Sequence, residues 1–110
     1  MASRYDLIHH PAAAEDFKES FAYFANVDAG LAELFEEDFK AVLRGMASGR
    51  CNGTLYAEGS SVRWVKLRRF SHKVFFEPGG DSVRFVLAVV SGRRHPTRVR
   101  LTLSRRKKRK

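Results

Sequence analysis

One stretch limits what this chain can become more than any other. It runs VRWVKLRRFSHKVFFEPGGDSVRFVLAVVSGRRHP, from Val62 to Pro96. Two apolar-and-basic runs, residues 62–70 and 72–77, break at Ser71. A Pro78-Gly79-Gly80-Asp81 turn follows. A continuous apolar run over residues 83–90 then ends in Gly92-Arg93-Arg94-His95-Pro96. β-Branched and aromatic residues bounded by Gly, Pro, Ser and Asp are the pattern of strands joined by tight turns. The stretch therefore reads as a three-strand antiparallel meander that displays Lys and Arg at chosen positions.

The rest of the chain has to cover that meander. Residues 5–9 form a short apolar run readable as a strand, which His10-Pro11 ends. Pro11 suits the first position of a helix, and the residue before a proline is biased to extended geometry. Phe17, Phe21 and Phe24 then recur at i, i+4 and i+7, one face of an amphipathic helix. Glu15, Asp16 and Glu19 sit near its start, where the macrodipole favours acids. Asp28 is a suitable N-cap for a second helix carrying Leu31, Leu34, Phe35, Phe39, Val42, Leu43 and Met46. Two helices so closely joined form an antiparallel hairpin, and the meander is the surface that can bury their aromatic faces. Phe17, Phe21, Phe24, Leu31, Phe35, Phe39 and Val42 are expected to meet Val65, Leu67, Phe85 and Leu87. Residues 48–53 read as a loop, residues 54–58 as a short strand, and Gly59-Ser60 as a turn. After Pro96, Val99, Leu101 and Leu103 alternate with polar residues, the pattern of an edge strand or of a segment that orders on a partner.

Alternation decides which side chains are displayed. Val65 and Leu67 point one way; Trp64, Lys66 and Arg68 point the other. With Val65 and Leu67 against the helices, Trp64, Lys66 and Arg68 take the open face, and Lys73 on the next strand joins them. Arg93, Arg94 and His95 lie at the exit of the long apolar strand. Fixed cations with an aromatic neighbour suit phosphates and unstacked bases, and can stabilise charge developing on phosphorus. Lys and Arg also serve simply to solvate the outer face of a sheet, and composition does not separate the two.

Charge distribution points the same way. The 110 residues carry a net charge of +9, unevenly spread. Residues 1–58 hold 10 acidic and 5 basic residues; residues 93–110 hold 10 basic and no acidic ones. Such asymmetry favours a polyanion or an acidic protein as partner of the C-terminal half, though the last basic run, 105–110, also reads as a solvated tail. With 44% hydrophobic residues and 9 Phe, the chain can build one domain core. No apolar run is long enough to span a bilayer, and no secretory leader is apparent, so a cytoplasmic protein is expected. Cys51 is the single cysteine. It suits a reducing compartment, cannot form an internal disulfide and excludes a multi-cysteine zinc site. His9, His10, His72 and His95 show no metal-ligand spacing, and Gly79-Gly80 joins strands rather than opening a helix, so no cofactor or metal is expected.

Three segments resemble the RelE/ParE superfamily of toxins from type II toxin–antitoxin modules, the plasmid stabilisation proteins. Residues 11–17, PAAAEDF, are similar to the family's strand–Pro–Ala opening. Residues 65–76, VKLRRFSHKVFF, resemble its central basic-aromatic segment. Residues 83–94, VRFVLAVVSGRR, resemble its last strand and Gly-Arg-Arg exit. The resemblance covers residues 5–96. It implies an α+β fold in which an N-terminal strand and a two-helix hairpin pack on a twisted antiparallel sheet, with a toxin domain over 1–96 and a basic C-terminal tail over 97–110. It implies a growth inhibitor held inactive by a cognate acidic antitoxin. It also implies one of two targets: ribosome-bound mRNA, which RelE-like members cleave, or DNA gyrase, which ParE-like members inhibit without nuclease activity. A non-toxic nucleic-acid-binding or adaptor domain of the same fold is the third alternative. The RelE-like basic site falls on Lys66, Arg68, Lys73 and Arg94, with His95 as a candidate proton-transfer group and Trp64 and Arg93 as nucleic-acid contacts. The chain departs from the pattern in four places. Trp64 stands at a basic position, Lys73 stands where Arg is usual, and Ser91 replaces a histidine. No tyrosine follows Tyr56.

Overall fold

The computed structural model describes residues 4–107. The elements in chain order are β1 (Asp6–His9), α1 (Pro11–Val27), α2 (Ala29–Ser48), β2 (Thr54–Leu55), β3 (Arg63–Lys66), β4 (Lys73–Pro78), β5 (Val83–Val90) and α3 (Pro96–Arg106). The five strands form one sheet in the order β1-β5-β4-β3-β2. The meander β3-β4-β5 is antiparallel, as is β2 on β3, whereas β1 runs parallel to β5 at the far edge. Almost the whole domain separates β1 from β5, ample chain for the crossover that a parallel pair requires.

The helix boundaries follow from their caps. His10 and His95 each precede a proline, sit in extended backbone, and accept the N–H of the residue two ahead on Nδ1. Asp28 accepts from both Gly30 and Leu31 to start α2, and Gly49 ends it with φ 86°. Glu15 and Asp16 fall beyond the first turn of α1, outside the reach of its dipole. Asp16 does something else, described below.

The hairpin α1–α2 covers one face of the sheet. Phe35 and Met46 are wholly buried there with Leu67, Val74, Phe76, Val86 and Val89, and Phe17, Phe24 and Val65 pack at the margin. The expected helix–sheet pairing holds for Val65 and Leu67 but is inverted for Phe85 and Leu87. Those two belong to a second core on the other face, with Val62, Phe75, Ala88 and Val90 under Val99 and Leu103 of α3. The inversion has two causes. β5 is apolar on both faces, so its hydrophobic pattern carries no phase. A β-bulge then changes the phase midway: Phe76 pairs with Val86 and Phe75 with Ala88, so Leu87 is the extra residue.

The segment after Pro96 is a helix rather than an edge strand. Val99 and Leu103, at i and i+4, are its buried residues, and Leu101 between them is exposed. The expected division between residues 96 and 97 falls one residue inside α3. Residues 108–110 of the expected tail lie outside the described residues. Arg106 holds α3 to the rest. It donates to both Asp16 oxygens, at 2.5 and 3.3 Å, and to the Leu87 carbonyl at 3.2 Å, while Asp16 also accepts the Val89 N–H at 3.0 Å. β1 pairing stops at Val86, so these are the β5 backbone groups that strand pairing leaves open.

Two other arginines are structural. Arg84 is buried and donates to the carbonyls of Met46 and Cys51 and to Asn52 Oδ1, with Tyr5 stacked 3.8 Å from its guanidinium. Arg69 donates through its backbone N–H and its guanidinium to the buried Asp38, and also to Glu37. Burial pushes the Asp38 carboxyl up, but the hydrogen bonds from Arg69 and the charges of Arg69 and Arg68 outweigh it and hold the group below its ordinary value.

Truncating Phe35, which stacks on Phe17 with centroids 5.5 Å apart, tests this core. Phe35→Ala should lower the unfolding free energy by about 3–5 kcal/mol in urea titration, with little change in m-value.

Candidate nucleic-acid interface

The face of the sheet next to α3 holds a cleft of about 260 Å³. Its walls include Trp64 of β3, Lys73 and Phe75 of β4, Arg94 from the loop after β5, and Tyr56 from the segment after β2. Each is there for a local reason. Trp64 pairs across from Phe75 and Lys66 from Lys73, which puts all four on one face of the backbone. Tyr56 is brought alongside by its N–H bond to the Val62 carbonyl and meets Phe75 edge-on at 5.7 Å. Arg94 comes from a turn closed by its own N–H on the Ser91 carbonyl. Gly92 sets the position of that turn. A Cβ there would stand 2.7 Å from the Ser71 carbonyl, and its N–H donates to Ser71 Oγ.

Lys66 and Lys73 face one another directly, and two ammonium groups so placed repel. They part. Lys73 lies over the Trp64 ring, 4.3 Å from its centroid, and Lys66 turns to the Leu67 carbonyl at 2.8 Å. Lys66 then lines a separate concavity at the end of the strand, together with Arg68, Glu37 and Asp38. Of the four cations expected to act together, Lys73 and Arg94 share the cleft with Trp64, while Lys66 and Arg68 line the other concavity. Arg93 lines a third one, with Tyr23 of α1 and His72 just before β4. His95 is exposed and its Nδ1 accepts the Thr97 N–H in capping α3, so among the described residues only Nε2 of the ring is left to a ligand. The residue that sequence reasoning missed is Tyr56. No local pattern marked it: Tyr56 reaches the cleft because Thr54, two residues earlier, pairs with Trp64.

The cleft therefore combines the cations of Lys73 and Arg94, the rings of Trp64, Phe75 and Tyr56, and the Tyr56 phenol. A cation–π contact at an accessible site contributes only about 0.5–1 kcal/mol, so a phosphate can draw Lys73 off the Trp64 face. Neither a carboxylate nor a histidine is in the cleft lining. Among the described residues no group of three His, Cys, Asp or Glu side chains is placed to hold a metal ion, and no helix is long and apolar enough to cross a membrane.

Comparison with solved structures supplies a precedent for the fold. The chain superposes on a double arginine-to-alanine mutant of the E. coli toxin RelE in the free state with a TM-score of 0.58. The match covers 96% of this chain and 95% of that one, at 17% identity. The fold is that of RelE. The RelE-like fold accounts for the layout of the helix hairpin against the sheet, which the resemblance had led us to expect. No protein-family model matches the sequence, and no curated protein does.

His72 has a different setting from the cleft. It is buried among Phe24, Phe35 and Phe70, with Nε2 3.3 Å from Ser20 Oγ and Nδ1 without a partner among the described residues. Burial lowers its pKa. Below about pH 6.5 the unfolded chain takes up a proton that the folded His72 refuses, so stability falls as pH drops toward the lowered folded value. His9, also lowered by burial, adds a slope of the same sign. His72→Phe should flatten the fall in urea midpoint between pH 7.5 and 5.5, measured beside the parent chain, and leave the His9 share.

Proposed function

We propose that this protein is the toxin of a type II toxin–antitoxin module and acts in the cytoplasm on ribosome-bound mRNA through the cleft of Trp64, Lys73, Arg94 and Tyr56. The observation that carries this reading is the convergence of Lys73 and Arg94 between two aromatic rings on a sheet face of RelE form. Arg94 and Lys73 grip the phosphate, and Trp64 and Tyr56 receive the unstacked bases on either side. In strand cleavage the ribose hydroxyl next to the phosphate attacks phosphorus and loses its proton, while the bond to the leaving oxygen breaks and that oxygen takes up a proton. The two cations neutralise the charge that grows on the phosphoryl oxygens in between. Lys66, Arg68 and Arg93 contribute to the surrounding basic field that draws the polyanion in. A cognate acidic antitoxin covering the same cationic face would silence the toxin.

The separation of Lys66 and Arg68 from the cleft favours a second reading, in which the cleft binds RNA without cutting it. A ParE-like action on DNA gyrase is distinguished by the same assays. Primer extension on translating ribosomes should reveal message cleavage by the parent protein. Lys73→Ala and Arg94→Ala should each reduce it by about 10²–10³, the cost of deleting one charge-stabilising group. Arg94 is exposed, so its variant should keep the parent's thermal midpoint, whereas Lys73→Ala also gives up the Trp64 contact, about 0.5–1 kcal/mol, and should melt slightly lower. RNA binding without cleavage establishes the second reading, and inhibition of supercoiling with neither establishes the ParE-like one.

A further inference from the structure

We propose that the flank of α3 bearing Arg100 and Ser104, with Lys107 at its C-cap and Tyr56 opposite, is a second nucleotide subsite continuous with the cleft. A single-stranded polynucleotide then leaves the cleft along this helix. The inference rests on the RNA-directed reading and specifies the length of strand that the protein holds.

Four observations meet here. A separate cavity of about 200 Å³ lies between α3 and the segment 56–62, lined by Tyr56, Ser60, Arg100, Ser104 and Lys107 among others. Tyr56 lines this cavity and the cleft, so one aromatic ring is the wall between them. Arg100 and Ser104 stand at i and i+4 on one flank of the helix, and Lys107, its extended C-cap residue, joins them in the lining. Arg98 and Arg105 lie off that flank and off both linings. Finally, the described ion pairs involve neither Arg100 nor Lys107, although α3 does pair Arg106 with Asp16. The helix thus uses one arginine to hold its place and leaves two cations at the cavity rim.

Cations alone would suit any polyanion. The aromatic wall is what selects a nucleic acid: a base stacks on Tyr56 while its flanking phosphates meet Lys73 and Arg94 on one side and Arg100 and Lys107 on the other. The hydroxyls of Ser60 and Ser104 supply donors and acceptors for the sugar or base edge. An acidic peptide would use the charges and leave the ring idle.

The test uses the full chain and two 2′-O-methyl oligouridylates, which cannot be cleaved by attack of the ribose hydroxyl. A dinucleotide fills the cleft; an octanucleotide reaches both sites. Binding of each is followed across a salt series for the parent, the double variant Arg100→Ala/Lys107→Ala, and the charge-matched double variant Arg98→Ala/Arg105→Ala. Loss of two phosphate contacts to a single strand should flatten the slope of log affinity against log salt by about 1.4 for the octanucleotide. The dinucleotide should bind the Arg100/Lys107 variant as it binds the parent, and the charge-matched variant should change the octanucleotide slope by less than half as much. Equal effects of the two double variants would overturn the subsite, as would an equal loss for the dinucleotide, or poly-glutamate binding as tightly as the octanucleotide. Lys73→Ala/Arg94→Ala separates the two claims. If that variant loses the dinucleotide while the α3 comparison fails, the cleft stands and the subsite alone falls. If the parent binds neither oligomer, the cleft reading fails and the subsite with it.

Discussion

Asp16 ties the molecule together. Its carboxylate sits on α1, takes the Val89 N–H of β5 and the Arg106 guanidinium of α3, and so joins the two layers around the edge of the sheet. Arg106 completes the circuit on the Leu87 carbonyl. The site needs both residues because β1 is only four residues long and its pairing with β5 ends at Val86. Beyond that point β5 has an open edge inside the protein, and a buried donor without a partner costs about 1–3 kcal/mol. One acid and one base from distant helices satisfy it, and in doing so they fix where α3 lies.

The position of α3 then sets the character of the sheet's second face. With the helix in place, Phe85, Leu87 and Val90 are part of a core instead of an exposed apolar surface. The bulge at Leu87 serves this arrangement. It lets Leu87 and Ala88 both face α3 while Val86 and Val89 face the hairpin. What α3 leaves uncovered on that face is the strip at the β3–β4 side, where Trp64, Lys73 and Tyr56 meet Arg94. The cleft is the remainder of a face that is otherwise filled.

Electrostatic repulsion sorts the cations across this surface. Lys66 and Lys73 have to diverge because they are paired directly, and an aromatic ring is at hand for only one of them. Arg68 is beside Asp38, where its charge helps to hold that carboxylate ionised. The basic character of the region 59–107 is therefore divided among structure, field and site. Arg69, Arg84 and Arg106 are committed to carbonyls and carboxylates, and a count of charges alone would have assigned them to a ligand.

The elements whose determinants are local were legible in the residues themselves: the His10-Pro11 start of α1, the Asp28 cap, the Phe17-Phe21-Phe24 stripe, and the β4–β5 turn at Pro78-Gly79-Gly80-Asp81. The same His-Pro signal stands at His95-Pro96, yet Val99, Leu101 and Leu103 also fit a period of two. Only burial of Val99 and Leu103 against Phe75 and Val90, with Leu101 left outside, decides for a helix. The backbone phase that sets Lys73 with Trp64 was readable from alternation. The separation of Lys66 from Lys73 was not, because it depends on pairing register and on what each ammonium finds nearby. Tyr56 and Arg94 lie 38 positions apart in the chain. They come to one cleft because the pairing of β2 with β3 and the approach of Gly92 to Ser71 place them there. Sequence alone determined which residues can carry charge and which faces must be buried, since both follow from side-chain chemistry and period. Tertiary structure decided which charges share a site, since that follows from register, a bulge and one half-buried ion pair between helices far apart in the chain.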